Sequence, residues 1–340
     1  LEESKVNFYP LKFNDNYKEK IWGGESWALS EHPSALSIIS NGDFKGKPLT
    51  SLVKQYPKEI LGKEVANLYG KLPLLFKFID AKDKLSIQVH PDDTYAELHE
   101  NSLGKTEAWY VVHAEKNAKI ICGLAKPLTR NEIEENIEKG CLEKVLKEFE
   151  VKTGDCFFVP AGTVHAIEAG LRIYEVQEVS DITYRLYDWG RLDDNGKLRE
   201  LHIEQSLKVM NFNDIESHRT TPISFTEKWG KREILTVCDY FILSKYSIAD
   251  VNSIKSDGKF KVITLLSGAV DIEYNGGVVN VSQGETVLLP AALLKIILKP
   301  AGNDVEALVT EIPLDKNAIK QVLIKSGATE EQLTKLGGLK

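Results

Sequence analysis

The chain has 340 residues with 43 basic against 50 acidic side chains, a formal net charge of −7 and a sequence pI near 5.7. Its 42% apolar and 27% charged fractions exclude fibrous and disordered classes. The acidic balance, with no long Lys/Arg run, argues against nucleic-acid or membrane-surface binding, which depends on summed positive charge facing phosphates.

The length predicts two or three units of about 100–200 residues, each with its own core. The N-terminus, Leu1-Glu-Glu-Ser4, is polar and acidic where a secretion signal is basic and then apolar. No apolar run approaches the roughly 18 residues of a membrane span, so a cytoplasmic protein is expected. Cys122, Cys141, Cys156 and Cys238 are scattered without a C-x-x-C pair, and read as buried or idle thiols.

Short helices are predicted at Leu49 to Tyr56 and Asp93 to Glu100. From Leu72 onward, β-branched and aromatic runs bounded by turn residues predict strands. They lie at Leu74 to Asp80, Leu85 to His90, Glu107 to Val112, Lys119 to Cys122, Cys156 to Val159 and Leu171 to Val179. Thr129-Arg-Asn-Glu132 has capping-box spacing and opens an amphipathic stretch to about Phe149, broken at Gly140. A further helix is expected at His202 to Val209, and the polar segment Asn211 to Lys231 reads as a connector. Strands resume at Phe260 to Leu266, Val270 to Tyr274, Val278 to Val281, Thr286 to Leu289 and Ala307 to Thr310, and Thr329 to Leu336 forms a short helix or frays. Closely spaced strands without intervening helices imply antiparallel sandwiches or jelly rolls.

Two stretches align with each other. Gly154-Asp-Cys-Phe-Phe-Val-Pro160-Ala-Gly162-Thr-Val-His165 and Gly284-Glu-Thr-Val-Leu-Leu-Pro290-Ala-Ala292-Leu-Leu-Lys295 share a glycine turn, a strand and a proline corner that delivers a polar side chain. The first copy ends in His and the second in Lys.

In Leu85-Ser-Ile-Gln88-Val-His90, strand parity places Ser86, Gln88 and His90 on one face and the apolar residues on the other. By the same parity Lys105, Glu107 and Trp109 share a face. With His165 from the proline corner, Gln88, His90 and Glu107 make an N2O2 set suited to one Zn²⁺ per chain, with no thiolate and room for water or substrate. Singly, each residue has an ordinary structural explanation, and His32, His99, His113, His202 and His218 are given that explanation. The shared face is what distinguishes the set, because buried polar pairs need a partner and a cation supplies one. Downstream, Arg185 and Arg191 suit a phosphate through forked, charge-assisted hydrogen bonds, and Glu175 suits an acid or base. The run from Arg172 to Arg191 reads equally as a two-sided edge strand with its charges in water.

The motifs Trp22-Gly-Gly-Glu-Ser-Trp27, Gln88-Val-His90-Pro-Asp92, Gly104-Lys-Thr-Glu107-Ala-Trp-Tyr110, Val159-Pro-Ala-Gly-Thr-Val-His165-Ala and Ser180-Asp-Ile-Thr-Tyr-Arg185 resemble those of type I mannose-6-phosphate isomerases, in the short bacterial form. The resemblance implies a mainly β bicupin of two β-sandwich jelly rolls with a few helical insertions. Its expected divisions are a catalytic cupin at 1–232, a second, degenerate cupin at 233–325 and a tail at 326–340. It implies zinc on Gln88, His90, Glu107 and His165, and Arg185 beside the reacting carbons or phosphate. Ser86 and Arg191 would help hold the phosphate, and Lys105 and Glu175 fall at positions of proton transfer. The implied reaction interconverts mannose 6-phosphate and fructose 6-phosphate through a metal-stabilised cis-enediol. A hexose phosphate is the expected partner, with no nucleic acid, membrane or obligate protein partner.

In the longer members a His precedes the equivalent of Lys105, where this chain has Gly104, so a ring-opening role for that His does not carry over. The competing classes are a non-catalytic sugar-phosphate-binding or regulatory cupin and an Fe(II) cupin oxygenase. The amide ligand Gln88 and the Arg pair fit the oxygenase poorly. Lys105 needs a depressed pKa to act as a base near neutrality.

Overall fold

The alternating runs fold into strands close to the expected bounds: Leu74–Ala81, Glu107–Ala114, Lys119–Leu124, Cys156–Val159, Leu171–Glu178, Lys261–Ser267, Ala269–Tyr274, Gly277–Ser282, Thr286–Leu289 and Val305–Glu311. The structure, a computed structural model, describes residues 6–192 and 196–339. Among the described residues no helix is long and apolar enough to cross a membrane.

The chain divides into two units, one of residues 17–27 and 74–220, the other of residues 1–16, 28–73 and 221–340. This differs from the expected divisions at 232 and 325. Residues 28–73 go with the second set of strands, to which backbone hydrogen bonds tie residues 59–61, and the C-terminal segment goes there because its leucines pack on them.

The first unit has two antiparallel sheets. In the six-stranded sheet Leu171–Glu178 is central, between Leu74–Ala81 and Glu107–Ala114, with Cys156–Val159 beyond the latter. Arg172 to Glu178 therefore is not an edge. The five-stranded sheet has the order Tyr184–Tyr187, Ile87–Val89, His165–Ile167, Lys119–Leu124, Leu146–Glu150. Ile79, Trp109, Val111, Phe157 and Ile173 of the first sheet share one core with Ile120, Cys122 and Ile167 of the second, so the sheets face each other. The outer face of the five-stranded sheet buries Ile87, Val89, Ile121 and Ala166 against Ile133, Leu142 and Leu207 of the helical insertions.

Those insertions are Asp93–Glu100, Arg130–Glu138, the 3-10 turn Leu142–Val145 and Ile203–Val209. The Thr129 capping box forms as its spacing predicts. The helix it opens stops at Glu138, however, and Leu146–Glu150 is a strand, its alternating burial overriding the helical period. The expected connector also contains strands, Ile223–Glu227 and the start of Gly230–Val237, joined as a hairpin.

In the second unit a seven-stranded and a four-stranded sheet enclose Ile263, Leu265, Val287 and Val309 against Ile254, Ile272, Val281, Ile296 and Leu298. Helices Leu49–Gln55, Pro57–Leu61 and Lys63–Tyr69 belong to this unit. Residues 59–61 accept backbone hydrogen bonds from Ala292, Ala291 and Phe260, which closes one end of the sandwich. Lys316–Lys325 and Glu330–Lys335 are helices, the second capped by Thr329 and Gln332. Leu323, Leu333, Leu336 and Leu339 bury against Ile223, Ile234 and Val237, so the tail docks rather than frays.

The repeat is structural. Strands Cys156–Val159 and Thr286–Leu289 match residue for residue, and the next strands, His165–Ile167 and Lys295–Pro300, begin at the aligned positions. Gly154 and Gly284 open both copies at φ 95° and 84°, backbone that favours glycine.

Candidate metal centre and anion site

Parity brings the predicted set together. Ile87 and Val89 face the helical insertions while Gln88 faces the sandwich interior, and the turn into Pro91 carries His90 the same way. Antiparallel pairing sets His165 opposite Gln88 and Cys122. On the facing sheet, Glu107 shares the interior face with Trp109 and pairs in register with Gln177.

His90, Glu107 and His165 are 1%, 0% and 1% exposed, and one ligand atom from each lies within 4.8 Å of the others. His165 Nε2 is 3.4 Å from Glu107 Oε1 and His90 Nε2 is 3.6 Å from Oε2. Each imidazole donates from Nδ1 to a backbone carbonyl at 2.8 Å, His90 to Ile182 and His165 to Thr163. That fixes the tautomer and turns both Nε2 lone pairs toward Glu107. Gln88 Nε2 lies 3.3 Å from His165 Nε2, and Ser86 Oγ donates to Gln88 Oε1 at 3.4 Å.

These residues fit a divalent cation. Glu107 Oε1 is buried without a hydrogen-bond partner, and the Lys105 ammonium sits 2.6 Å from Glu107 Oε2 and 3.0 Å from His90 Nε2. Positive charge therefore already occupies the place the ligand atoms define. Burial and the Lys105 charge lower His90 well below its ordinary range and His165 to about 3, so both imidazoles are neutral, as ligation requires. Burial pushes Glu107 up to about 7. Burial works against a charged Lys105, but the Glu107 and Glu175 carboxylates outweigh it and hold its pKa above the usual value. This is the reverse of the depressed pKa that a base needs.

Glu175 lies two residues along the central strand from Gln177, the partner of Glu107. It is opposite Lys77 on one neighbouring strand and Trp109 on the other, with Lys77 Nζ at 3.3 Å and Trp109 Nε1 donating at 2.9 Å. Burial opposes its ionisation, yet Lys77 and Lys105 carry it down to about 2. Lys77 is a site neighbour that sequence reading passed over. Its signal was a single charge inside the apolar run Leu72 to Ile79.

Gly104 explains the missing His. A Cβ there would lie 2.6 Å from Asp92 C and Asp93 N and 2.9 Å from Pro91 O, so the start of the Asp93–Glu100 helix leaves no room for a side chain. Thr106 N donates to the buried Glu178 carboxyl at 2.8 Å, and burial together with nearby Asp93 raises Glu178 to about 9.

Glu178 is thus protonated in the folded chain between its unfolded pKa near 4.3 and about 9. In that window the unfolded chain releases a proton that the native one keeps, so the group costs stability as pH rises. Glu178→Gln, whose amide both donates and accepts, is expected to match the parent in Tm near pH 5 and to exceed it near pH 8. A lower Tm than the parent at pH 8 contradicts this.

Arg185 is opposite Gln88 on the edge strand, half-buried, its Nη1 donating to the Glu200 carbonyl at 2.8 Å. Arg191 Nη2 is 2.5 Å from Asp188 Oδ1. Arg199, which carried no signal in the sequence, joins the same carboxylate.

The second copy of the repeat lacks this centre. Lys261 pairs with Leu289 as Glu107 pairs with Val159, so a buried lysine, ion-paired with Glu311, stands where the first unit has its carboxylate. Lys295 is exposed, and Ile296 and Leu298 take the inward positions.

Residues 11–119 match the family described as phosphomannose isomerase type I, catalytic domain, and residues 231–303 the mannose-6-phosphate isomerase cupin domain. The chain is 37% identical over 306 residues to mannose-6-phosphate isomerase ManA of Bacillus subtilis, covering 84% of this chain and 94% of that relative. It is 35% identical to the mannose-6-phosphate isomerase of Streptococcus mutans, with 83% and 92% covered. The crystal structure of a Bacillus subtilis mannose 6-phosphate isomerase superposes with a TM-score of 0.81 at 30% identity, over 90% of this chain and 100% of that one.

Proposed function

The chain belongs to the type I phosphomannose isomerase family, and from that premise we propose that it interconverts mannose 6-phosphate and fructose 6-phosphate at the polar end of the first sandwich. The observation that carries this is one buried layer holding His90, Glu107, His165 and Lys105, with Arg185 opposite Gln88. Both sandwiches are read as jelly rolls, a bicupin in which one copy is armed and the other degenerate.

Gln88, His90, Glu107 and His165 would hold one zinc ion, the Gln88 amide turning its oxygen inward. Zinc held there would supply Lewis-acid stabilisation of negative charge developing on the substrate oxygens. Lys105, against the ligand atoms, and Glu175 are the two candidates for moving the proton between C2 and C1 through the cis-enediol; the raised pKa of Lys105 suits that role once a bound cation, repelling its charge, lowers it. Glu175, tied to Trp109 and Lys77, acts on Lys105 through its charge. Arg185 and Arg191 bind the phosphate, and Ser86 orients Gln88 and the sugar. Phosphate binding away from the reacting carbons supplies orientation. The buried free thiols Cys122 and Cys156 suit a reducing, cytoplasmic setting.

A coupled assay for fructose 6-phosphate tests the reading. Turnover of mannose 6-phosphate without oxygen consumption is expected. Binding of the sugar phosphate with no turnover would give the non-catalytic reading instead, and oxygen uptake with bound iron would give the oxygenase.

A further inference from the structure

Two guanidinium groups, those of Arg191 and Arg199, bind one carboxylate in the turn that follows the edge strand, and the guanidinium of Arg185 lies within reach of their charges. Asp188, 5% exposed, accepts from Arg199 with both oxygens, Nε to Oδ2 at 2.6 Å and Nη2 to Oδ1 at 2.7 Å, and from Arg191 Nη2 at 2.5 Å. Arg191 Nη1 donates to the Lys84 carbonyl and lies 3.6 Å from Asp83. Arg185 Nη1 is held by the Glu200 carbonyl. Among the described residues these three cations have one buried carboxylate near them, Asp188, and the side chains of Asp83 and Glu200 are exposed.

Among the described residues, two buried donors find no acceptor, the Nε–H groups of Arg185 and Arg191. A buried donor without an acceptor is costly, and two in one cationic cluster point to an anion with several acceptor oxygens. Arg199 commits Nε and Nη2 to Asp188, and its Nη1 takes no part in that pair. Burial and the neighbouring Arg199 and Arg191 charges lower the pKa of Arg185, as crowding of cations requires.

We propose that Arg199 is a third phosphate-binding residue of this site, and that Asp188 is a positioning residue that holds Arg191 and Arg199 beside Arg185. The proposal rests on the isomerase reading and adds two residues to it. Asp188 stops the cations from splaying apart before substrate arrives, so less order has to be imposed on binding.

The test measures inorganic phosphate binding by calorimetry, together with KM and kcat for mannose 6-phosphate, in the parent, Arg199→Gln, Arg199→Lys and Asp188→Ala. Arg199→Gln is expected to weaken phosphate binding and raise KM by roughly 10- to 100-fold, with kcat changed by no more than about threefold and metal content unchanged. Arg199→Lys keeps a point charge without the fork and should recover part of the loss. Asp188→Ala should raise KM, and adding Arg199→Gln to it should cost little more. Parental phosphate affinity in Arg199→Gln and in Asp188→Ala, with only a lowered Tm, would show that Arg199 merely neutralises Asp188 and would overturn the proposal. If the parent binds phosphate and Arg199→Gln does not, but neither turns over mannose 6-phosphate, the clamp stands and the isomerase reading falls.

Discussion

Glu107→Gln is expected to abolish metal retention and isomerase activity together, with kcat/KM falling by about 10³-fold or more. Glu107 is fully buried and contributes the only carboxylate among the three grouped ligands, and its Oε1 has no other partner. An amide in its place is neutral and leaves a divalent ion facing two neutral imidazoles. The same change strands the Lys105 ammonium in the interior without its ion pair, so the metal-free variant should also unfold at a lower temperature. Elemental analysis after dialysis and the coupled assay read the two effects. Parental activity in a metal-free Glu107→Gln protein would contradict the site assignment.

Arg185→Ala should leave metal content unchanged and lower kcat/KM by roughly 10²- to 10⁴-fold. Its backbone is in register with Gln88, which puts both side chains on one face of the sheet, and among the described residues its buried Nε–H has no acceptor, as a phosphate-binding role requires. Arg185→Lys should recover a minority of the loss, since an ammonium supplies charge without two parallel donors. Loss of metal from Arg185→Ala would mean that its role is to support Gln88 rather than to bind substrate.

The shared polar face was legible because strand parity is a local rule: Ser86, Gln88 and His90 alternate with residues that the helical insertions cover, and Glu107 with Trp109 does the same on the other sheet. What parity cannot give is pairing. Lys77 meets Glu175 across neighbouring strands 98 positions apart by chain number, and Arg199 meets Asp188 across a loop, neither with a period to announce it. The segment Leu146-Lys-Glu-Phe-Glu150 shows the reverse case, an alternation present in the sequence but hidden behind the helical pattern that precedes it.

The repeat was legible as spacing, while its consequence was not. Equal spacing from Pro160 and Pro290 delivers His165 inward and Lys295 outward, because Ile296 and Leu298 claim the apolar interior of the second sandwich. A one-residue change of facing moves a side chain from core to solvent, and burial of isoleucine over lysine decides it. The bounds of the two units were likewise hidden, since residues 28–73 join strands that lie far later in the chain.

One divalent ion on this polar face, acting with Lys105 and Arg185, is proposed to isomerise a hexose phosphate. The most direct test strips the full-length protein with a chelator, removes the chelator and titrates zinc back while following fructose 6-phosphate formation from mannose 6-phosphate. Activity should vanish on stripping and return in proportion to added zinc, reaching its limit at about one equivalent per chain. Undiminished isomerisation by the stripped protein would contradict the account.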